Sequence, residues 1–190
     1  MQNSTQAPAP LDLDVLGDRL LLAAIGISAV TAVFLGLQFV DSGMAFGTTL
    51  GLLVIAALGY AGADNSPARR FVLSFVLVCF VALHIQLARG LVELHFGVFV
   101  VLAFLLVYRD WRVIVFGAAL FAVHHVVFDR LQAAGMGLYC LTEPDFGRIV
   151  AHAAYVVIQA GVEVVLAVFM SRAAREGKEL KELIASVNRE

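Results

Sequence analysis

The chain has 190 residues, of which 61% are hydrophobic and 15% are charged, and its formal net charge is -2. Its mean hydropathy of +0.91 exceeds what a soluble domain of this size carries, so the composition indicates an integral membrane protein. The pI near 6.2 gives no excess positive field of the kind that nucleic-acid-binding proteins use. We therefore expect the lipid bilayer as the surroundings and no nucleic acid as a partner.

Six long apolar stretches follow one another along the chain, each near the ~20 residues that cross the hydrocarbon core of a bilayer. They are continuously apolar, whereas the strands of a membrane barrel alternate in pieces of about ten residues. The sequence therefore predicts an all-α protein, an integral membrane bundle of six transmembrane helices, two of them short. The predicted spans are residues 20–40, 44–62, 71–88, 94–108, 113–128 and 149–170.

The apolar stretches divide the chain into an N-terminal segment at 1–17, a six-helix membrane domain at 18–171 and a helical connector at 172–190. The first segment contains Pro8 and Pro10, and it lacks the basic start and cleavage site of a signal peptide. In the connector, apolar residues recur at helical spacing between charges. This pattern is typical of a coiled coil, and an amphipathic helix at the membrane surface is the alternative.

The distribution of basic residues predicts the orientation in the membrane. Arg89, Arg130 and Arg148 fall on one side of the predicted spans, and the other ten of the 13 fall on the opposite side. By the positive-inside rule, both termini are expected in the cytoplasm. The ten residues of the cytoplasmic side are Arg19, Arg69, Arg70, Arg109, Arg112, Arg172, Arg175, Lys178, Lys181 and Arg189.

Five histidines form the main candidate site. Counted from the outer loops at the helical rise of ~1.5 Å per residue, all of them lie roughly 6 to 9 Å below the outer boundary. Four different helices contribute them, which is how a ligand site in the core of a helix bundle is built. A lone imidazole in a membrane helix more often bonds to a neighbouring helix, but five at one depth favour a bound metal or heme. The histidines are His84, His95, His124, His125 and His152.

Heme b is the favoured cofactor at this layer. Two histidines on opposing helices can ligate a heme iron, and phenylalanines with small residues accommodate the macrocycle. Arg89, Arg130 and Arg148 lie just above the histidines, where heme propionates would emerge. A copper, iron or zinc site built from several histidines and Glu93 is the alternative. Glu93 can equally be a carboxylate in the first turn of a helix, where the positive end of the helix dipole stabilises it.

Other polar residues receive smaller roles. Cys79 and Cys140 form neither a disulfide framework nor a paired-cysteine motif, so we expect both to be inert apolar residues. Gln86 and Gln132 are interpreted as interfacial residues. A polar stripe follows one face of the sixth helix toward the cytoplasm. It consists of His152, Tyr155, Gln159 and Glu163.

Several short polar and aromatic runs point to a known family. They are His84-Ile85-Gln86 with Gly90, Glu93-Leu94-His95-Phe96, Tyr108-Arg109-Asp110-Trp111-Arg112, His124-His125 with Phe128, Leu131-Gln132, and His152-Ala153-Ala154-Tyr155-Val156-Val157. Together, over roughly residues 71–170, they resemble the multi-helix membrane sensory region at the start of certain bacterial methyl-accepting chemotaxis proteins and diguanylate cyclases. The resemblance implies a bacterial inner-membrane input module for signal transduction. Its last helix would signal to a cytoplasmic output domain, although no chemotaxis hairpin or cyclase domain is recognised in the chain.

The sequence thus favours a homodimeric sensory domain, rather than an enzyme, that holds heme b or another metal near the periplasmic face. Redox change, gas binding or metal occupancy would favour one packing of the bundle. A heme-containing membrane electron carrier or oxidoreductase is the alternative from another class. A metal transporter would need polar residues at successive depths of several helices, and only the sixth helix shows them.

Overall fold

The described part of the protein is a bundle of apolar helices. The computed structural model describes residues 13–39, 41–63 and 67–188, and no strand occurs within these ranges. Five helices are long and apolar enough to cross a membrane, and the shorter apolar segment Val92–Tyr108 lies between them in the chain. The predicted all-α architecture with six apolar helices is confirmed. The helices are α1 (Leu13–Gln38), α2 (Ser42–Gly62), α3 (Pro67–Leu87), α4 (Phe96–Leu105), α5 (Trp111–Ala133) and α6 (Phe146–Val187).

The boundaries differ from several predicted spans. The span 113–128, predicted to be short, belongs to the 23-residue helix α5, and α6 continues beyond the span 149–170. Helix α1 begins at Leu13, inside the segment 1–17 that was predicted to precede the membrane domain. The extra turns bury Asp18, which the hydropathy pattern would leave outside the bundle. Pro8, Pro10 and Arg189 lie outside the described residues.

Helix α3 lies at the centre of the bundle. It packs against α1 and α2 on one side and against α4 and α5 on the other, and α6 packs mainly on α5. Most of its side chains from Leu73 to Leu87 are buried, and they include the fully buried ring of Phe80. Many large apolar residues of the other helices are exposed, as expected for surfaces that face lipid.

One end of the bundle is joined by a buried polar cluster. Arg69 of α3 donates a hydrogen bond from Nη1 to Oδ2 of Asp18 in α1 at 3.2 Å. The hydroxyl of Tyr108, at the end of the α4 segment, donates to Oδ1 of the same carboxylate at 2.9 Å. Gly17 allows this approach, because a Cβ there would lie 2.8 Å from Cε1 of Tyr108. Burial of these charges is tolerated because they are paired and hydrogen-bonded.

Helix α6 is continuous from the bundle into the predicted connector. Its N-terminus is capped by Asp145, whose side chain accepts a hydrogen bond from the backbone N–H of Arg148 at 3.1 Å. The same helix continues to Val187, and its side chains beyond Ser171 are exposed. A displacement of α6 within the bundle would therefore reach the connector without an intervening hinge.

Candidate metal centre

Three histidines from three parts of the fold come together at the end of the bundle opposite the Asp18 cluster. The ring centroids of His95 and His125 are 5.5 Å apart, and the ring of His152 lies 5.4 Å from the first and 5.9 Å from the second. His95 ends the turn before α4, His125 lies in α5, and His152 lies in α6. The first two are buried and the third is half-buried.

The backbone orients two of these rings. Nδ1 of His95 lies 3.1 Å from the carbonyl oxygen of Leu91, and Nδ1 of His125 lies 2.8 Å from that of Phe121. Because a carbonyl only accepts, each Nδ1 must carry the proton, which leaves the lone pair on Nε2. Among the described residues, the Nε2 atoms of His95, His125 and His152 are buried without a hydrogen-bond partner. Metal-ligating histidines show this arrangement, in which the second ring nitrogen donates to a fixed acceptor.

Cys140 completes a group of three potential ligands. Its Sγ and one ring nitrogen from each of His95 and His125 all lie within 4.8 Å of one another, and all three residues are buried. Imidazole and thiolate together suit zinc, copper and iron. The sequence alone predicts an inert Cys140, because no spacing motif links it to the histidines. The contact depends on how the loop between α5 and α6 folds back.

Gln132 fixes the backbone of that loop around the thiol. Its Oε1 accepts hydrogen bonds from the backbone N–H groups of Cys140 at 2.8 Å and Leu141 at 3.2 Å. Its Nε2 donates to the carbonyl oxygen of Leu141 at 2.6 Å. A side chain that was interpreted as interfacial therefore positions Cys140.

Helix α3 supplies a second anchor for the same loop. Oε1 of Gln86 accepts from the backbone N–H of Tyr139 at 2.8 Å, and its Nε2 donates to the carbonyl oxygen of Gly137 at 3.2 Å. Gly90, with φ of +77°, lies against the backbone of Leu141, and a Cβ there would overlap it. The loop is thus held to α3 and α5 on both sides of Cys140.

The thiol itself lies in an apolar setting. Burial, with a smaller contribution from the charge of Asp129, raises the pKa of Cys140 to about 12. The free thiol is therefore protonated at neutral pH, and a metal ion that binds it must displace the proton.

The other two histidines have different surroundings. Nε2 of His84 lies 2.8 Å from the carbonyl oxygen of Ser28, so its ring links α3 to α1. The ring of His124 lies 5.2 Å from that of His125 and 4.2 Å from that of Phe128. His124 is buried, and no described residue is a hydrogen-bond partner of its Nε2, but it does not belong to the group of three ligands.

The three outer arginines do not converge on the cluster as a group. Arg130 pairs with its neighbour Asp129, and Arg148 pairs with Asp145 through Nε at 3.0 Å. Arg89 is exposed, in a left-handed backbone conformation with φ of +52°. These contacts give two of the arginines a carboxylate partner within the protein.

Glu93 lies apart from the three grouped ligands, and His152 borders two cavities. Glu93 is exposed in the turn Val92–His95 and is not one of the three grouped ligands. His152 opens onto a cavity of about 220 Å³ that Arg148 and Tyr155 also line. A second, largely apolar cleft of about 430 Å³ lies between α5 and α6, and His125 and His152 lie in its wall.

Comparison with known proteins adds no family to these observations. A scan against protein-family models and searches of the curated proteins and the solved structures found no match. The convergence of His95, His125 and Cys140 is therefore the main structural indication of function.

Proposed function

We propose that the chain is a membrane sensory input domain whose stimulus-binding site is a metal ion held by His95, His125 and Cys140. The observation that supports this proposal most strongly is the convergence of three buried ligand atoms within 4.8 Å of one another. Two of the ligands already have their Nδ1 occupied by a backbone carbonyl, so their Nε2 lone pairs are available to a metal.

A single ion suits this cluster better than a heme iron held between two of its histidines. The three rings contact one another directly, with centroid separations of 5.4 to 5.9 Å, and a macrocycle would have to separate them. Copper, zinc or iron fits the imidazole and thiolate set, and His152 is placed to add a fourth ligand. Heme b remains the second candidate, supported by the apolar cleft of about 430 Å³ beside His125 and His152.

The connection of the cluster to α6 supports a sensory role. An ion that draws His152 toward His95 pulls on a helix that runs without interruption to Val187. Metal occupancy or oxidation state would then favour one packing of the bundle, and α6 would transmit it to an output domain. We further propose a homodimer in the bacterial inner membrane, with the centre near the periplasmic face and both termini in the cytoplasm. The distribution of basic residues supports this orientation.

Metal analysis of the detergent-purified chain tests the proposal, together with absorption spectra of its oxidised and reduced forms. We expect one copper, zinc or iron per chain in the unchanged protein, and loss of that metal in His125→Ala and Cys140→Ser. His84→Gln is the matched control, because the amide can still donate to the Ser28 carbonyl. A Soret band would establish heme instead, and metal content unaffected by both ligand variants would contradict the proposed site.

Hydrogen exchange of the full chain tests transmission through α6. Metal loading should slow amide hydrogen exchange around residues 146–157. It should also alter the exchange rate of the amides beyond residue 171. Protection confined to the loop at 134–145 would contradict a signalling role for α6. Steady oxidation of a quinol by the metal-loaded protein would favour the electron carrier over the sensor.

A further inference from the structure

We propose a second ligand site at the opposite end of the bundle, where a basic cavity binds the phosphate group of an anionic phospholipid. The cavity measures about 570 Å³ and lies between the starts of α3 and α5 and the part of α6 that leaves the bundle. This inference does not depend on the metal centre. The basic residues that line it are Arg70, Arg109, Arg112, Arg172, Arg175 and Lys178.

The cavity concentrates positive charge in a chain that is acidic as a whole. The protein has 13 basic and 15 acidic residues, yet among the described residues that line this cavity six are basic and one, Asp110, is acidic. That carboxylate accepts a hydrogen bond from the backbone N–H of Arg112 at 3.0 Å and so caps α5. Lys178 has an exposed contact with Glu182 at 3.8 Å, which is weak in water. An anionic ligand would relieve the mutual repulsion of Arg112, Arg172, Arg175 and Lys178.

The side chains suit an oxyanion such as a phosphate more than an isolated halide. Five of the six are guanidinium groups, which present several N–H donors in a planar fork to phosphate oxygens. Arg112 lies in the first turn of α5, where the backbone N–H groups and the helix dipole also favour an anion.

The position of the cavity favours a lipid as the source of this phosphate. Trp111 lines the cavity and is 46% exposed, at the point where the apolar helix α5 begins. Tryptophan at this level is typical of the membrane interface, where phospholipid head groups lie. Basic pockets between membrane helices bind anionic head groups on the cytoplasmic side. A bound head group would join Arg172 and Arg175 of α6 to Arg112 of α5. Lipid composition would then influence the direction in which α6 leaves the bundle.

Fluorescence of Trp111 measures this binding directly, because it is the single tryptophan in the chain. The full chain is reconstituted in vesicles that contain brominated phosphatidylglycerol or brominated phosphatidylcholine, which quench a nearby indole. We expect the anionic lipid to bind beside Trp111 about tenfold more tightly than phosphatidylcholine. This preference corresponds to between one and two cations acting at full strength, because each surface cation contributes a factor of about five. The triple variant R172Q/R175Q/K178Q should reduce the preference to about twofold or less.

Lys181→Gln is the control, because Lys181 lies on the same helix outside the cavity, and it should keep the full preference. Equal quenching by both lipids in the unchanged protein would overturn the proposal, and so would a preference that survives the triple substitution. Inorganic phosphate at constant ionic strength tests the source: if it abolishes the preference, the ligand is a soluble phosphate and the lipid assignment is wrong. If the triple variant does not fold, the double variant R175Q/K178Q provides a milder second test. The metal content of each variant reports independently on the opposite end of the bundle.

Discussion

His95 and His125 face each other with ring centroids 5.5 Å apart, and each ring is held by the carbonyl of the residue four positions before it. The two histidines lie on different elements of the fold, yet the same local bond fixes the tautomer of both. This bond turns each Nε2 into an acceptor in a buried space where no donor from the described part of the chain meets it. A metal cation is the partner to which two such nitrogen lone pairs are most readily donated.

The histidines should therefore differ in their effect on metal affinity. We expect alanine at His95 or His125 to abolish stoichiometric binding and alanine at His152 to weaken it, because the ring of His152 is half-buried beside the other two. Alanine at His124 should have a small effect, since it lies outside the three-ligand group. Competition with a calibrated chelator measures the order, and a larger loss at His124 than at His125 would contradict the assigned ligands.

Gln132 should support the centre without touching the metal. Gln132→Leu removes three hydrogen bonds that hold the backbone at Cys140 and Leu141, so metal affinity should fall about 10-fold to 100-fold while metal identity is unchanged. Gln159→Leu is the matched control, because Gln159 bonds Glu163 on α6 and not the loop. Equal affinities in the two variants would show that the loop keeps its position without Gln132.

Alanine substitution at two glycines with nearly the same backbone conformation distinguishes the cost of a steric overlap from the cost of a left-handed backbone. Gly90 and Gly135 have φ of +77° and +75°, but a Cβ at Gly90 would overlap the Leu141 backbone, whereas a Cβ at Gly135 would have no atom of the described residues within 4 Å. Gly135→Ala should cost about 1 to 2 kcal/mol. Gly90→Ala should cost more and should also reduce metal occupancy, because it displaces the loop that carries Cys140. Thermal unfolding and metal analysis of both variants measure this, and identical results would refute the packing argument.

The buried Asp18 cluster, at the end of the bundle opposite the metal centre, should affect stability and not metal binding. Asp18→Ala leaves Arg69 without its buried carboxylate, and the loss of one partner from such a pair costs about 3 to 5 kcal/mol. Arg148→Ala breaks an exposed pair with Asp145 and should cost about 1 kcal/mol or less. Thermal unfolding in one detergent compares the two, and an equal loss of stability would contradict the buried role of Asp18.

Hydropathy alone predicted the helices, because continuous apolar segments of membrane length permit few other structures. It did not predict that α1 begins at Leu13, since the burial of Asp18 depends on Arg69 and Tyr108, which are distant in the sequence. Periodicity and length identify an apolar span, but they do not show which polar groups of other helices will contact it.

The candidate site was only partly accessible from the sequence. Counting residues from the loops predicted that histidines of separate helices share one depth, and His95, His125 and His152 do lie together. Depth does not give the direction of a side chain around the helix, so His84 could not be distinguished from the others, although it bonds Ser28. Cys140 was missed because its position follows from the way Gln86 and Gln132 anchor the loop.

The absorption spectrum of the cobalt(II)-loaded protein is the most direct test of the His95, His125 and Cys140 centre. Thiolate coordination gives an intense near-ultraviolet charge-transfer band, and the number of ligands sets the intensity of the visible bands. We predict that the unchanged protein shows the charge-transfer band and that Cys140→Ser loses it while Cys79→Ser keeps it. A cobalt complex without this band, or one whose band survives Cys140→Ser, would contradict the proposed metal centre.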